Sequence, residues 1–206
     1  KYVDAEHSLL QAIDLKKQSG DLRSLKHTFM GLGALYHNLH RPQEAQKYYE
    51  LTLESARSQG DTRIESLTLY NLAALHMAQQ QFSECEHYLN QAMKIATLYD
   101  YRDCLAQIHE QFGDLELMKP EPDSAKILEH YGQALAYASD FNQLLLERIL
   151  NHLLAFWVAN AEDGDVEGSI WFCNSMIELW HKTGLAKDNQ SVIEAFQELK
   201  ARLLAL

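Results

Sequence analysis

The sequence predicts an all-α chain made of repeated helical hairpins. Three observations carry that prediction: a helix-rich composition, a self-match at one fixed shift, and apolar residues spaced three and four apart. Of the 206 residues, 47% are hydrophobic and 23% charged, a globular balance. Glycines (9) and prolines (3) are few, and runs rich in Val, Ile or Thr are nearly absent, so strands have little to be built from. Alanine, leucine, glutamine and glutamate dominate, and all are good helix formers.

The self-match decides the organisation. Moved by 40 positions, Leu22–Gly60 falls on Thr62–Asp100. Gly20-Asp21-Leu22-Arg23 then matches Gly60-Asp61-Thr62-Arg63, and Leu32-Gly33-Ala34-Leu35 matches Leu72-Ala73-Ala74-Leu75. Glu44-Ala45 matches Glu84-Cys85, Tyr48 matches Tyr88, and Ala56 matches Ala96. A further shift brings up Phe112-Gly113-Asp114-Leu115, again a large apolar residue followed by a small one.

Read in order, residues 4–19 form a lone second helix (Ala5, Leu9, Ala12, Ile13) whose partner is expected upstream, in a longer parent protein. In the first full unit, Leu25, Phe29, Leu32 and Tyr36 mark the buried face of one helix. A turn at Leu39-His40-Arg41-Pro42 comes next, with proline suited to the first turn of the second helix. That second helix carries Ala45, Tyr49, Leu53 and Ala56 and stops at Gly60, and Asp61 or Thr62 can cap the helix after it.

The third unit has a turn two residues longer, Lys119-Pro120-Glu121-Pro122-Asp123, before Ala125, Tyr131, Ala134 and Ala138. The fourth departs most and gathers Trp157, Trp171 and Trp180. Finally, Ser191 and Glu194 suggest a capping box that opens a helix with Val192, Phe196, Leu199 and Leu203 on one face. The expected boundaries within a single 1–206 domain are 1–20 for the partial repeat, then 21–60, 61–101, 102–141 and 142–184 for hairpins. A terminal cap is expected over 188–206.

Phe29, Leu32, Gly33, Tyr36, Ala45 and Tyr49 fill one set of repeat positions, and Leu69, Leu72, Ala73, His76, Cys85 and Leu89 fill the next. On these residues the chain resembles the tetratricopeptide family over nearly its whole length. The long repeat is similar to the sensor domains of bacterial regulators, such as pheromone-receptor and maltose-activator-like regulators, and to eukaryotic scaffold proteins. The resemblance implies a right-handed superhelical solenoid of antiparallel hairpins that meet closely at the small residues. It also implies a concave groove lined by first helices.

Carried over position by position, the resemblance places His27, Met30, His37 and Asn38 in that groove, with Tyr70, Asn71, Ala74 and Met77 from the second unit. The third unit supplies Gln107, Glu110, Gln111 and Asp114, and the fourth Arg148, Asn151 and Ala155. Asn71 stands where family members hold a ligand's main chain, and an amide donates to and accepts from a peptide unit at once. Members that clamp a terminal carboxylate place basic residues and asparagines where this chain has Met30 and Tyr70, so no such clamp is expected.

Charge and chemistry narrow the remaining options. Net charge is −11, from 29 acidic against 18 basic residues, and no dense basic cluster exists. Nucleic-acid and anionic-membrane binding through this segment are therefore not expected. Cys85, Cys104 and Cys173 are far apart and form no CxxC, which suits a reducing, cytoplasmic setting. The apolar run Leu144–Ala161 is broken by Glu147, Arg148, Asn151 and His152, so it reads as a buried helix rather than a membrane span.

Gly31-Leu32-Gly33 lacks the strand and third glycine of a phosphate loop. The two ExxH pairs, Glu84/His87 and Glu178/His181, read as solvated helix surface rather than metal ligands, since a di-metal bundle needs two further inward glutamates. With no aligned nucleophile and base, the chain is expected not to be an enzyme and to need no cofactor or metal. The expected function is binding of a protein or peptide within a larger signalling or regulatory protein. One alternative is a scaffold or oligomerisation module, a homodimer among its forms, that uses the C-terminal helix and fourth unit. Another is an enzyme such as a peptide-responsive phosphatase, whose extra helical bundle the sequence does not show.

Overall fold

The computed structural model describes residues 2–137, 148–149, 151–152, 166–182 and 190–205. Their regular structure is entirely helical, and no strand occurs among the described residues. The helices are α1 Tyr2–Ser19, α2 Leu25–Asn38, α3 Pro42–Gln59, α4 Thr62–Ala78, α5 Phe82–Leu98, α6 Arg102–Leu117, α7 Ser124–Tyr137, α8 Val166–Lys182 and α9 Gln190–Leu203. Two compact units, Lys1–Cys104 and Leu105–Leu206, are described separately. Of the fourth unit's expected first helix, only Arg148, Ile149, Asn151 and His152 are described, all helical; Ala155 and Trp157 lie outside the described residues.

In the first unit α1 packs on α2, α2 on α3, α3 on α4 and α4 on α5, and α2 also touches α4. Short turns at Leu39–Arg41 and Gln79–Gln81 fold α2 back on α3 and α4 back on α5, so each pair is antiparallel. Every one of these helix ends reverses through the left-handed region. Gly20, Gly60 and Asp100 have φ of 74°, 66° and 51°, and His40 and Gln80 have 55° and 58°. After each of these five turns the next residue's N–H closes back onto the helix: Asp21 donates to the Lys16 carbonyl, Arg41 to Tyr36, Asp61 to Ala56, Gln81 to His76 and Tyr101 to Ala96, all at 2.9 Å. These bonds satisfy carbonyls that the helix end leaves open. The helix starts are built as the sequence suggests: Pro42 opens α3, and the Asp61 carboxylate accepts the Ile64 N–H at 3.2 Å.

The core follows the apolar spacing. Leu32, Ala45, Tyr49, Ala56, Leu69, Leu72, Ala73, Cys85, Leu89, Ala92 and Ala96 are all essentially inaccessible. Gly33 is required by packing: a Cβ there would lie 2.5 Å from the Tyr49 ring. Beside this contact Tyr36 stacks on Tyr48 (5.5 Å between centroids), and one repeat later His76 stacks on Tyr88 (5.2 Å). His76 therefore takes the tyrosine's packing place, with its Nδ1 tied to Gln81 Oε1 at 2.6 Å.

Polar ties within and between successive repeats reinforce the stack. The Tyr36 hydroxyl donates to Glu6 (2.6 Å), and Lys26 reaches Gln59 Oε1 and Asp61 Oδ2, both at 2.7 Å. Farther along, Thr62 shares a hydrogen bond with Tyr101 (2.8 Å), and Arg63 pairs with Asp103.

In the second unit a Cβ at Gly113 would lie 2.5 Å from the Tyr131 ring, two repeats on from Gly33. The lengthened turn is held by Glu116, which accepts from Lys119 (2.6 Å) and from the Asp123 N–H (3.2 Å). Ile127, Tyr131, Ala134, Ile149, Phe172, Met176 and Ile193 form the core, flanked by Trp171 and Phe196. The ring of Phe196 on α9 meets that of Phe172 on α8 edge-on at 6.1 Å. Helix α9 starts at Gln190, which donates to Glu194 (3.1 Å); the Ser191 side chain of the expected capping box lies outside the described residues.

Candidate functional site

The expected groove residues of the first unit fall on the faces of α2 and α4 that the core leaves over. Helix α2 buries Leu25, Lys26, Thr28, Leu32, Gly33, Leu35 and Tyr36, and α4 buries Ser66, Thr68, Leu69, Leu72, Ala73, Leu75 and His76. Opposite those faces His27 and Asn38 are exposed, while Met30, His37, Tyr70, Asn71, Ala74 and Met77 are half-buried. Tyr70, Ala74 and Met77 recur at helical spacing along one side of α4, and Asn71 stands beside them. Among the described residues the Asn71 amide makes no hydrogen bond to the protein. Burial, with a smaller contribution from His40, holds the His37 imidazole below the usual histidine range, so it is neutral near pH 7.

The third-unit residues have a different fate. Gln107 is exposed, but Glu110 and Gln111 are buried (6% and 3% exposed) rather than lining an open face. The reason for Glu110 is Arg148, whose Nε and guanidinium NH2 donate to the two carboxylate oxygens at 2.8 and 2.6 Å. Burial pushes the Glu110 carboxyl up, and Arg148 works against that shift. Asp114 is half-buried, and its Oδ1 receives the Tyr131 hydroxyl at 2.7 Å and His152 Nδ1 at 2.6 Å. Arg148 and Asn151 are exposed. Glu110, Asp114 and Arg148 thus form one network with Tyr131, a repeat position expected in the core, and His152, which the repeat pattern does not single out. Gln111 Oε1 is buried with no hydrogen-bond partner among the described residues.

One recess includes only His27 among the groove residues expected from the repeat pattern. A cavity of about 950 Å³ opens in the first unit where its turns meet, walled by Lys26, His27, Gln59, Asp61, Thr62 and Tyr101. The available signal was the recurrence of Gly20-Asp21 and Gly60-Asp61, which places successive turns at one edge. Burial alone would raise the Asp61 carboxyl, but Lys26 and the Ile64 N–H hold it below the usual range. The lysine and the acid therefore neutralise each other. Neither serine on the wall is coupled to a histidine: Ser24 donates to Asp21, and Ser58 to the Ser55 carbonyl.

Among the described residues no group of three or more His, Cys, Asp or Glu could hold a metal ion. Glu84, His87, Glu178 and His181 are all exposed, and His87 bonds Gln91 at 2.7 Å. All three cysteines are buried. Burial pushes the Cys85 thiol up to about 12, the Cys104 thiol to about 11, and the Cys173 thiol upward, so none is a thiolate at neutral pH. No described helix is long and apolar enough to cross a membrane. Compared with family models and with curated proteins, the chain matches none.

Proposed function

We propose that this chain is a tetratricopeptide-type module, its hairpins stacked in a right-handed superhelix, that binds a segment of another protein in a cytoplasmic regulatory assembly. The observation that carries the reading is the half-buried side of α2 and α4. There Met30, Tyr70, Ala74 and Met77 offer apolar contact around the Asn71 amide, which has no protein partner among the described residues. Recurrence of the same turns and the same ring stacking 40 residues apart supports the repeat assignment. Helix α9, the main element of a scaffold reading, already packs Ile193 and Phe196 into its own unit.

The test is titration of the wild type and of Asn71→Ala against a partner segment that co-purifies with the protein. An unpaired amide costs about 1–3 kcal/mol, so affinity should fall roughly ten- to a hundred-fold while the melting temperature holds. If Asn71→Ala is silent and deletion of α9 abolishes association, the groove reading gives way to an oligomerisation module.

A further inference from the structure

We propose that Asp114 and His152 form a proton-operated latch that fastens the helical segment carrying Arg148 and His152 onto α6. His152 Nδ1 lies 2.6 Å from Asp114 Oδ1, and the same oxygen receives the Tyr131 hydroxyl from α7 at 2.7 Å. The imidazole side chain is 41% exposed, so water can deliver and remove its proton. One turn back on the same segment Arg148 grips Glu110 through two parallel bonds. Among the described residues the segment is therefore held to α6 by two ion pairs: one guanidinium that never titrates in the accessible range, and one imidazole that does.

The charged and titratable groups that face His152 among the described residues are Asp114 and Glu110 from α6, Tyr131 from α7, and Arg148 beside it. Two carboxylates against one guanidinium leave the pocket net negative, which favours the imidazolium. The hydrogen bond to Asp114 is the largest influence; together with the two carboxylates it outweighs burial and Arg148, and it holds His152 above the usual 6.5. Tyr131 is pushed upward, mainly by burial and then by Asp114, so it stays a neutral donor throughout.

A histidine whose folded pKa is raised contributes stability that is fully present below the unfolded value, and that contribution is lost as pH rises through the folded value. The latch is closed in mild acid and loosens in mild alkali. Deprotonated His152 keeps one Nδ1–H bond to Asp114 but loses the charge attraction, while the Arg148–Glu110 pair persists.

Two measurements test this on the full chain. In the wild type, the His152 ring resonance followed by NMR against pH should show a midpoint above that of an ordinary histidine. In melting experiments the neutral variant His152→Gln should lie below the wild type at about pH 6, and the gap should close by about pH 8.5. A wild-type midpoint at or below the ordinary value would overturn the latch, as would a gap that does not change with pH. The NMR titration needs no variant, so it decides the matter even if His152→Gln fails to fold.

Discussion

Gly33 and Tyr49 occupy each other's space: the hydrogen on Gly33 lies where a methyl group would stand 2.5 Å from the Tyr49 ring. The pair recurs as Gly113 and Tyr131. Between them, the second hairpin puts Ala73 and Leu89 at the matching positions, both fully buried. Where glycine grows to alanine the ring shrinks to leucine, so the approach of the two helices is set by the sum of the pair.

Gly33→Ala should therefore destabilise the chain by about 1–3 kcal/mol, the usual cost of overpacking. Adding Tyr49→Leu should return part of that loss, because it copies the Ala73–Leu89 solution. Urea denaturation of the two single variants and the double variant measures the coupling directly. Strictly additive losses would show that the two residues do not share this space.

The turns offer a gain instead. His40, Gln80 and Asp100 adopt positive φ with side chains attached, in positions equivalent in geometry to Gly20 and Gly60. A side chain in the left-handed region costs roughly 1–2 kcal/mol, partly offset by the extra freedom glycine has when unfolded. Gln80→Gly should raise stability by a few tenths to about 1 kcal/mol. The Gln81–His76 contact next door must survive for the gain to appear, and a rise in melting temperature is the readout.

Acid should attack the second unit through a different pair of histidines. His109 and His130 face each other with Nδ1 atoms 3.2 Å apart, His109 stacked on Tyr137 and His130 on Phe112. Burial, followed by the charge of the other ring, pushes His109 down to about 4; burial also lowers His130, against the pull of Glu129 and Glu116. A depressed histidine takes up its proton in the unfolded chain first, so stability falls as pH drops from about 6.5 toward 4. Allowing for solvent screening, His109 accounts for a loss on the order of 1–2 kcal/mol. His130→Phe keeps a ring against Phe112 and removes a titrating partner. Its melting temperature should decline less steeply than the wild type's between about pH 6.5 and 4.5.

The helices and turns were legible because both rest on local chemistry. Proline at 42, glycine at 60 and Asp61 act within a few residues of themselves, and the apolar spacing of Leu25, Phe29, Leu32 and Tyr36 reports a face directly. The left-handed turns at Gln80 and Asp100 were not legible, since neither position carries the glycine that marks Gly20 and Gly60, and the local closure onto the helix end forms there all the same. Position-by-position transfer located the half-buried side of α2 and α4. It missed the closure of α6, because whether Glu110 is open depends on Arg148. That pairing of charges one repeat apart has no pattern of its own in the sequence. The recess beside Lys26 had only the recurrence of Gly20-Asp21 and Gly60-Asp61 as its signal, and it exists only once three turns lie side by side.

The polar ties that join successive units reach 30 residues from Glu6 to Tyr36, 40 from Arg63 to Asp103 and 38 from Asp114 to His152. Short reach along the chain means little loop-closure entropy is lost before a contact forms, and such topologies fold fast. On a ribosome, α2 and α3 have everything they need to pair before α6 has been synthesised. Within Lys1–Cys104, the first hairpin once finished presents a ready surface to the second, α3 to α4. Assembly can proceed from the N-terminus at the pace of translation, with no long wait for a distant partner.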